Sequence, residues 1–174
     1  MRHVLTLLFL SLAAPAFAWP DGAAFDNIDG GTHQPADWAG RPVLLVNTAS
    51  LCAFTPQYAE LQDLWERYED RGLIVLAVPS DDFAQELEGE AEVKDFCEVN
   101  YGLTLPMTAI THVRREPVHP VYRWLAEEAG FVPAWNFNKV LIDGEGEVVA
   151  TWGSATPPMS DAITNRVEAL LPAR

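Results

Sequence analysis

Two uninterrupted apolar runs, PVLLVN (42–47) and LIVLAVP (73–79), stand on either side of an amphipathic segment. A run of that length without alternation reads as a strand buried on both faces. Between them Leu61, Leu64, Trp65 and Tyr68 recur at helical spacing. Thr55 suits an N-cap, Pro56 suits the first helical position, and Arg71-Gly72 is a stop. Strand, helix and strand with short joints make a right-handed crossover, so the two strands are parallel.

The rest of the chain adds to that unit. Residues 25–41 carry turn signals and isolated apolar residues, predicting a short hairpin around Asp29-Gly30-Gly31. EAEVKDFC (90–97) reads as a short helix with an acidic start, and LTLPM (103–107) as a strand. HPVYRWLAEEA (119–129) opens a helix at Pro120. KVLID (139–143) and EVVATW (147–152) form an antiparallel hairpin through Gly144-Glu145-Gly146. Residues 160–171 close as an amphipathic helix with Ile163, Val167, Leu170 and Leu171 on one face. The order β-α-β, insertion, α-β-β-α is that of an α/β, thioredoxin-like fold. It predicts a central mixed β-sheet flanked by helices, with an N-terminal hairpin and an insertion in the middle. No repeat or linker divides residues 25–171, so one domain is expected over 19–174.

Residues 1–18 have a different character. Arg2 and His3 precede the apolar VLTLLFLSLAAPA, and Ala16-Phe17-Ala18 supplies a small-x-small end before Trp19. That is the layout of a secretory signal, and its apolar stretch is short for a membrane span. A mature chain starting near Trp19, secreted or periplasmic, is expected. The formal net charge of −14 disfavours nucleic acid and anionic surfaces as partners and weighs against tight binding of anionic glutathione. Two cysteines, Cys52 and Cys97, remain after the leader; in an oxidising compartment their simplest use is one structural disulfide.

Cys52 sits in NTASLCAFTPQYAEL (47–61), where the first strand gives way to the helix. In an open α/β sheet that is the mouth at which ligands bind. The unpaired N–H groups and positive dipole end of the helix favour a thiolate over a thiol there. No second cysteine follows within a turn, as a disulfide exchanger would require. A nucleophile for a peroxide fits; a small buried hydrophobe is the alternative.

The segment VLLVNTASLCAFTPQYAELQDL resembles the nucleophile motif of the glutathione peroxidase family. LAVPSDDFAQELEGEAEVKDFC, YGLTLPM, HPVYRWL and AWNFNKVLIDGEGEVV are similar, in order, to that family's further motifs. The resemblance runs from about residue 25 to the C-terminus. It implies that Cys52 is the peroxidatic position, with Trp135 and Asn136 of the WNF motif beside the sulfur. The family's glutamine falls on Gln85 if one residue is missing after Phe83, or on Glu86 in an ungapped register. Gln85 suits the chemistry better, because amide and indole N–H groups hold an anion without neutralising it, whereas a carboxylate opposes it. Cys97 takes the place of the resolving cysteine of thioredoxin-using members. Its thiol would condense with a Cys52 sulfenic acid, and a dithiol protein would reduce the product. A static Cys52–Cys97 staple stays open as the other use of the pair.

Ser80 and Asp81-Asp82 depart from the family pattern, and only about ten residues separate HPVYRWL from WNF. Larger members of the family carry a subunit-contact loop there, so the resemblance implies a monomer with a site open to bulky substrates such as lipid hydroperoxides. Counterparts of the arginines that bind glutathione in some members are not evident; Arg114 and Arg115 lie near without matching. His33, His112 and His119 lack metal-ligand spacing, and His119 is expected to be structural. The acidic run Glu86–Glu92 reads as a solvated helix start, which could also orient a basic reductant. The expected function is thiol-dependent reduction of hydrogen peroxide and organic or lipid hydroperoxides, without metal or cofactor. Its reductant would be a thioredoxin-like dithiol protein or glutathione. The competing readings are a thiol–disulfide exchange protein and a non-catalytic periplasmic module of the same fold.

Overall fold

The computed structural model describes residues 19–20 and 22–173, so the proposed leader lies outside the described residues. The hairpin is the pair β1 (Phe25–Asp26) and β2 (Thr32–His33). The apolar runs are β3 (Val43–Thr48) and β4 (Ile74–Pro79), every residue buried, paired in parallel register from Val43↔Ile74 to Thr48↔Pro79. Helix α1 (Gln57–Tyr68) crosses between them. After α2 (Glu90–Tyr101) and α3 (Pro120–Ala129), strand β5 (Lys139–Ile142) pairs antiparallel with β3, and β6 (Val148–Trp152) with β5. Helix α4 (Asp161–Leu170) ends the fold. The sheet order is β4-β3-β5-β6.

The period of two along β3 separates two cores. Leu44 and Val46 face Tyr58, Leu61 and Leu64 of α1, Val93 of α2 and Ile163 and Val167 of α4. Val43 and Leu45 face Val121, Tyr122 and Leu125 of α3, with Phe25 and Trp38 at the edge. Gly144 in the β5–β6 turn lies against Gly40, where a Cβ would come within 2.7 Å of a backbone carbon. His119 caps α3, its Nδ1 accepting from the Val121 N–H, and its ring stacks on Phe25 with centroids 4.0 Å apart.

Three local expectations are corrected. LTLPM is not a strand: Pro106 has no N–H for a ladder. Only an isolated bridge, Ala77↔Met107, forms, while the Gln62 side chain accepts the Thr104 N–H at 2.9 Å. Helix α2 runs four residues beyond Cys97 to Tyr101, where Gly102 at φ 60° stops it, so Cys97 is interior to the helix and not at its end. Thr55 does not cap α1; Pro56 precedes the helix without a side-chain cap.

Candidate active site

Thr55 instead ties the loop that carries the nucleophile candidate. Its Oγ1 accepts the Cys52 N–H at 3.0 Å and donates to the Ala49 carbonyl at 2.9 Å. The Thr55 N–H returns to the Cys52 carbonyl at 3.0 Å, closing a tight turn. Within it the Phe54 N–H points at Cys52 Sγ, 3.4 Å away. That donor belongs to the turn ahead of α1, which begins only at Gln57. Cys52 is a free thiol and buried.

The 85–86 segment is stitched to this loop by two bonds. The Leu51 N–H donates to the Gln85 carbonyl at 2.9 Å, and the Ser50 N–H to Glu86 Oε1 at 3.0 Å. Consecutive side chains then part company. Gln85 Oε1 accepts from Asn136 Nδ2 at 3.1 Å, leaving the two amide N–H groups of Gln85 as donors. Glu86 turns inward, accepting from the Leu87 N–H at 2.9 Å as well. Burial raises its pKa despite these donors. The expectation of a solvated carboxylate at position 86 is therefore corrected, since only the later part of that acidic run is exposed. Ala84, directly before Gln85, sits at φ 53°, a left-handed conformation that side chains seldom adopt.

Asn136 is fully buried and Trp135 is 41 % exposed, its ring 5.3 Å from that of Phe83 between centroids. Their loop hangs from Asn47, the penultimate residue of β3. Asn47 Nδ2 donates to the Trp135 carbonyl at 3.0 Å, and its Oδ1 accepts the Asn138 N–H at 3.1 Å. Its backbone carbonyl takes the Phe137 N–H at 2.6 Å. Ser154 Oγ donates to the Asn136 carbonyl at 2.6 Å and accepts from Asn138 Nδ2 at 2.8 Å. Asn47, Ser154 and Lys139 were not singled out from sequence. The available signal was a polar Asn ending a doubly buried run and a lone Lys opening one.

Cys97 is also a free thiol, buried in the third turn of α2. Burial pushes its pKa to about 12; Glu86 and Glu98 push the same way, and the neighbouring Tyr58 hydroxyl opposes them. It lines a cleft of about 380 Å³ together with Trp65, Lys94 and Met107. Asp82, one of the departures from the family pattern, accepts the N–H groups of Val113, Arg114 and Arg115 at 2.8, 2.6 and 2.9 Å and bonds His112 Nδ1 at 2.7 Å. Burial raises its pKa, but these bonds outweigh burial and the net shift is downward. Among the described residues no cluster of three or more His, Cys, Asp or Glu could hold a metal ion. No helix among them is long and apolar enough to cross a membrane.

A family model described as glutathione peroxidase matches residues 23–126. The chain is 39 % identical over 161 residues to the hydroperoxy fatty acid reductase of Synechocystis sp., covering 86 % of this chain and 94 % of that protein. It is 37 % identical over 148 residues to a glutathione peroxidase-like peroxiredoxin of Schizosaccharomyces pombe, covering 82 % and 92 %. Among solved structures, Trgpx in apo form superposes with a TM-score of 0.68 at 25 % identity, covering 91 % of this chain and 96 % of that one. A thiol:disulfide interchange protein of Chlorobium tepidum superposes at 0.66 with 17 % identity, covering 92 % and 99 %, a likeness of fold alone.

Proposed function

Because the chain belongs to the glutathione peroxidase family and is a peroxidase acting on hydroperoxides with a thiol donor, we propose that Cys52 is the sulfur it oxidises. The observation that carries this reading is the meeting of three chain segments: the Cys52 loop with the Phe54 N–H at the sulfur, Gln85 stitched to that loop at Leu51, and Asn136 bonded to Gln85. The Cys52 thiolate attacks one peroxide oxygen and the O–O bond breaks. The other oxygen leaves as water or alcohol after taking a proton from a neighbouring donor or water. Cys52 becomes a sulfenic acid. The amide groups of Gln85 and Asn136 and the Trp135 indole supply neutral donors for the developing charge. Cys97 then forms the Cys52–Cys97 disulfide with loss of water, and a thioredoxin-like dithiol protein returns both thiols by two exchanges while itself becoming a disulfide.

Leu51, 60 % exposed, and the Phe83–Trp135 pair give the site an apolar rim, which fits organic and lipid hydroperoxides beside hydrogen peroxide. The name of the Synechocystis relative supports that substrate class. The formal charge of −14 supports a dithiol protein over glutathione as reductant. The enzyme is proposed to act as a monomer, exported by residues 1–18; an N-terminus at Trp19 in the protein isolated from the producing cell would support that leader.

The test of the chemistry is stopped-flow oxidation of the reduced protein by tert-butyl hydroperoxide, beside Cys52→Ser and Cys97→Ser. A fast bimolecular phase lost only in Cys52→Ser is expected, with a sulfenic acid trapped by dimedone in Cys97→Ser. Oxidation of the parent no faster than that of a small free thiol would refute the assignment.

A further inference from the structure

Lys139 opens β5 and is fully buried, yet no step above uses it. Its ammonium donates to the Phe137 carbonyl at 2.7 Å and to Gln57 Oε1 at 2.7 Å. The charged group that faces it is Glu60, on the first turn of α1. A buried ammonium is costly, so what it holds matters. It holds the residue after Asn136 in an unusual conformation. Phe137 sits at φ 61°, a region that a bulky residue occupies only where its surroundings over-determine it. Asn47 fixes the Phe137 N–H and Lys139 fixes the Phe137 carbonyl. Through Gln57, whose amide donates to the Ser154 carbonyl at 2.7 Å, the same ammonium also braces the Ser154 hydroxyl that holds the Asn136 carbonyl.

We propose that the charged Lys139 ammonium is a positioning residue for peroxide reduction, bracing the left-handed turn at Phe137 so that Asn136 meets Gln85 beside the Cys52 loop. The proposal rests on the assignment of Cys52 as the oxidised sulfur. Burial lowers the Lys139 pKa from 10.5 to about 8, so the charge that braces the turn is lost over an accessible pH range. Activity that depends on the brace falls over the same range.

The test uses the Cys97→Ser background, in which only the first oxidation is read. The rate with tert-butyl hydroperoxide is followed by tryptophan fluorescence, with and without Lys139→Met, between about pH 6.5 and pH 9.5. The ratio of parent to variant rates cancels the titration of the nucleophile itself. It is expected to be roughly tenfold or more near pH 7, because small misplacements of an assisting group are expensive. It should fall toward one with a midpoint near 8. A ratio near one at pH 7 overturns the proposal, and so does a large ratio that does not change with pH, the mark of a merely structural lysine. Should Lys139→Met fail to fold, Lys139→Arg decides, since a guanidinium keeps its charge throughout. That variant should hold its rate above pH 8 where the parent loses it; a parallel decline in both overturns the proposal. An inert Cys97→Ser parent at pH 7 would instead sink the assignment of Cys52.

Discussion

Replacing Lys139 by Met exchanges a buried ammonium for an uncharged chain of similar length, and the effect on stability can be worked out. The folded chain holds the Lys139 pKa at about 8, against 10.5 in a solvated chain. At neutral pH the folded state therefore carries a burden of about 3 kcal/mol that the unfolded state does not. The sign follows from linkage. A lysine depressed on folding binds its proton more weakly in the native state, so the stability it withholds below about 8 is restored as pH rises toward 10.5. Lys139→Met also strips a donor from the Phe137 carbonyl and from Gln57, each loss costing about 1–3 kcal/mol. The absolute change near pH 7 is thus a small difference of larger numbers, and the pH slope is the decisive quantity. Urea unfolding of both reduced proteins at several pH values gives the stability of parent minus variant, in which tyrosines and the other lysines cancel. That difference should rise by about 3 kcal/mol between pH 7 and pH 10.5. A flat difference would show that the ammonium is not held at a cost, and the reasoning about burial would fail.

Three further outcomes are expected. Glu86→Gln keeps the acceptor for the Ser50 and Leu87 N–H groups but removes a carboxyl whose pKa burial raises. An acid raised on folding loses stability as pH climbs, so the variant's advantage in urea unfolding should be larger at pH 7 than near pH 4; an equal difference at both would refute it. Asn47→Ala orphans the Trp135 carbonyl and the Asn138 N–H, so denaturant midpoints should report a loss of about 3 kcal/mol and stopped flow a slower oxidation. Reduced protein treated with iodoacetamide near pH 8 should resist labelling at Cys97, whose thiol sits at about 12, until denaturant is added. Rapid Cys97 labelling in the native state, read by peptide mass, would contradict its burial.

The sheet was legible because its strands are apolar runs set between glycines and prolines, which fix parallel and antiparallel partners without reference to the rest of the chain. The hairpin was legible from its turn residues Asp29-Gly30-Gly31, and the last helix from the helical spacing of its apolar face. What escaped depends on tertiary partners. A side chain, Gln62, does at residues 104–105 what a ladder would have done, so LTLPM kept its strand-like composition without strand pairing. Thr55 has the residue type of a cap and spends it on the nucleophile turn. Gln85 and Glu86 are adjacent, yet one faces Asn136 and the other turns into the core; which is which was decided by Asn136 and Ser50, not by either residue alone. Lys139 reads as an ordinary charged residue at a strand start, and nothing in its neighbours announces that its partners are a carbonyl two residues back and the Gln57 side chain of α1.

The groups around Cys52 come from stretches far apart along the chain: Gln85 and Asn136 meet across 51 positions, and Gln57 and Ser154 across 97. Closing loops of that length costs conformational entropy, a cost that grows only slowly with length. On the proposed assignment of Cys52, the groups that would serve its sulfur come together only once both closures are made, so the site is a product of the finished fold and of no single stretch of it.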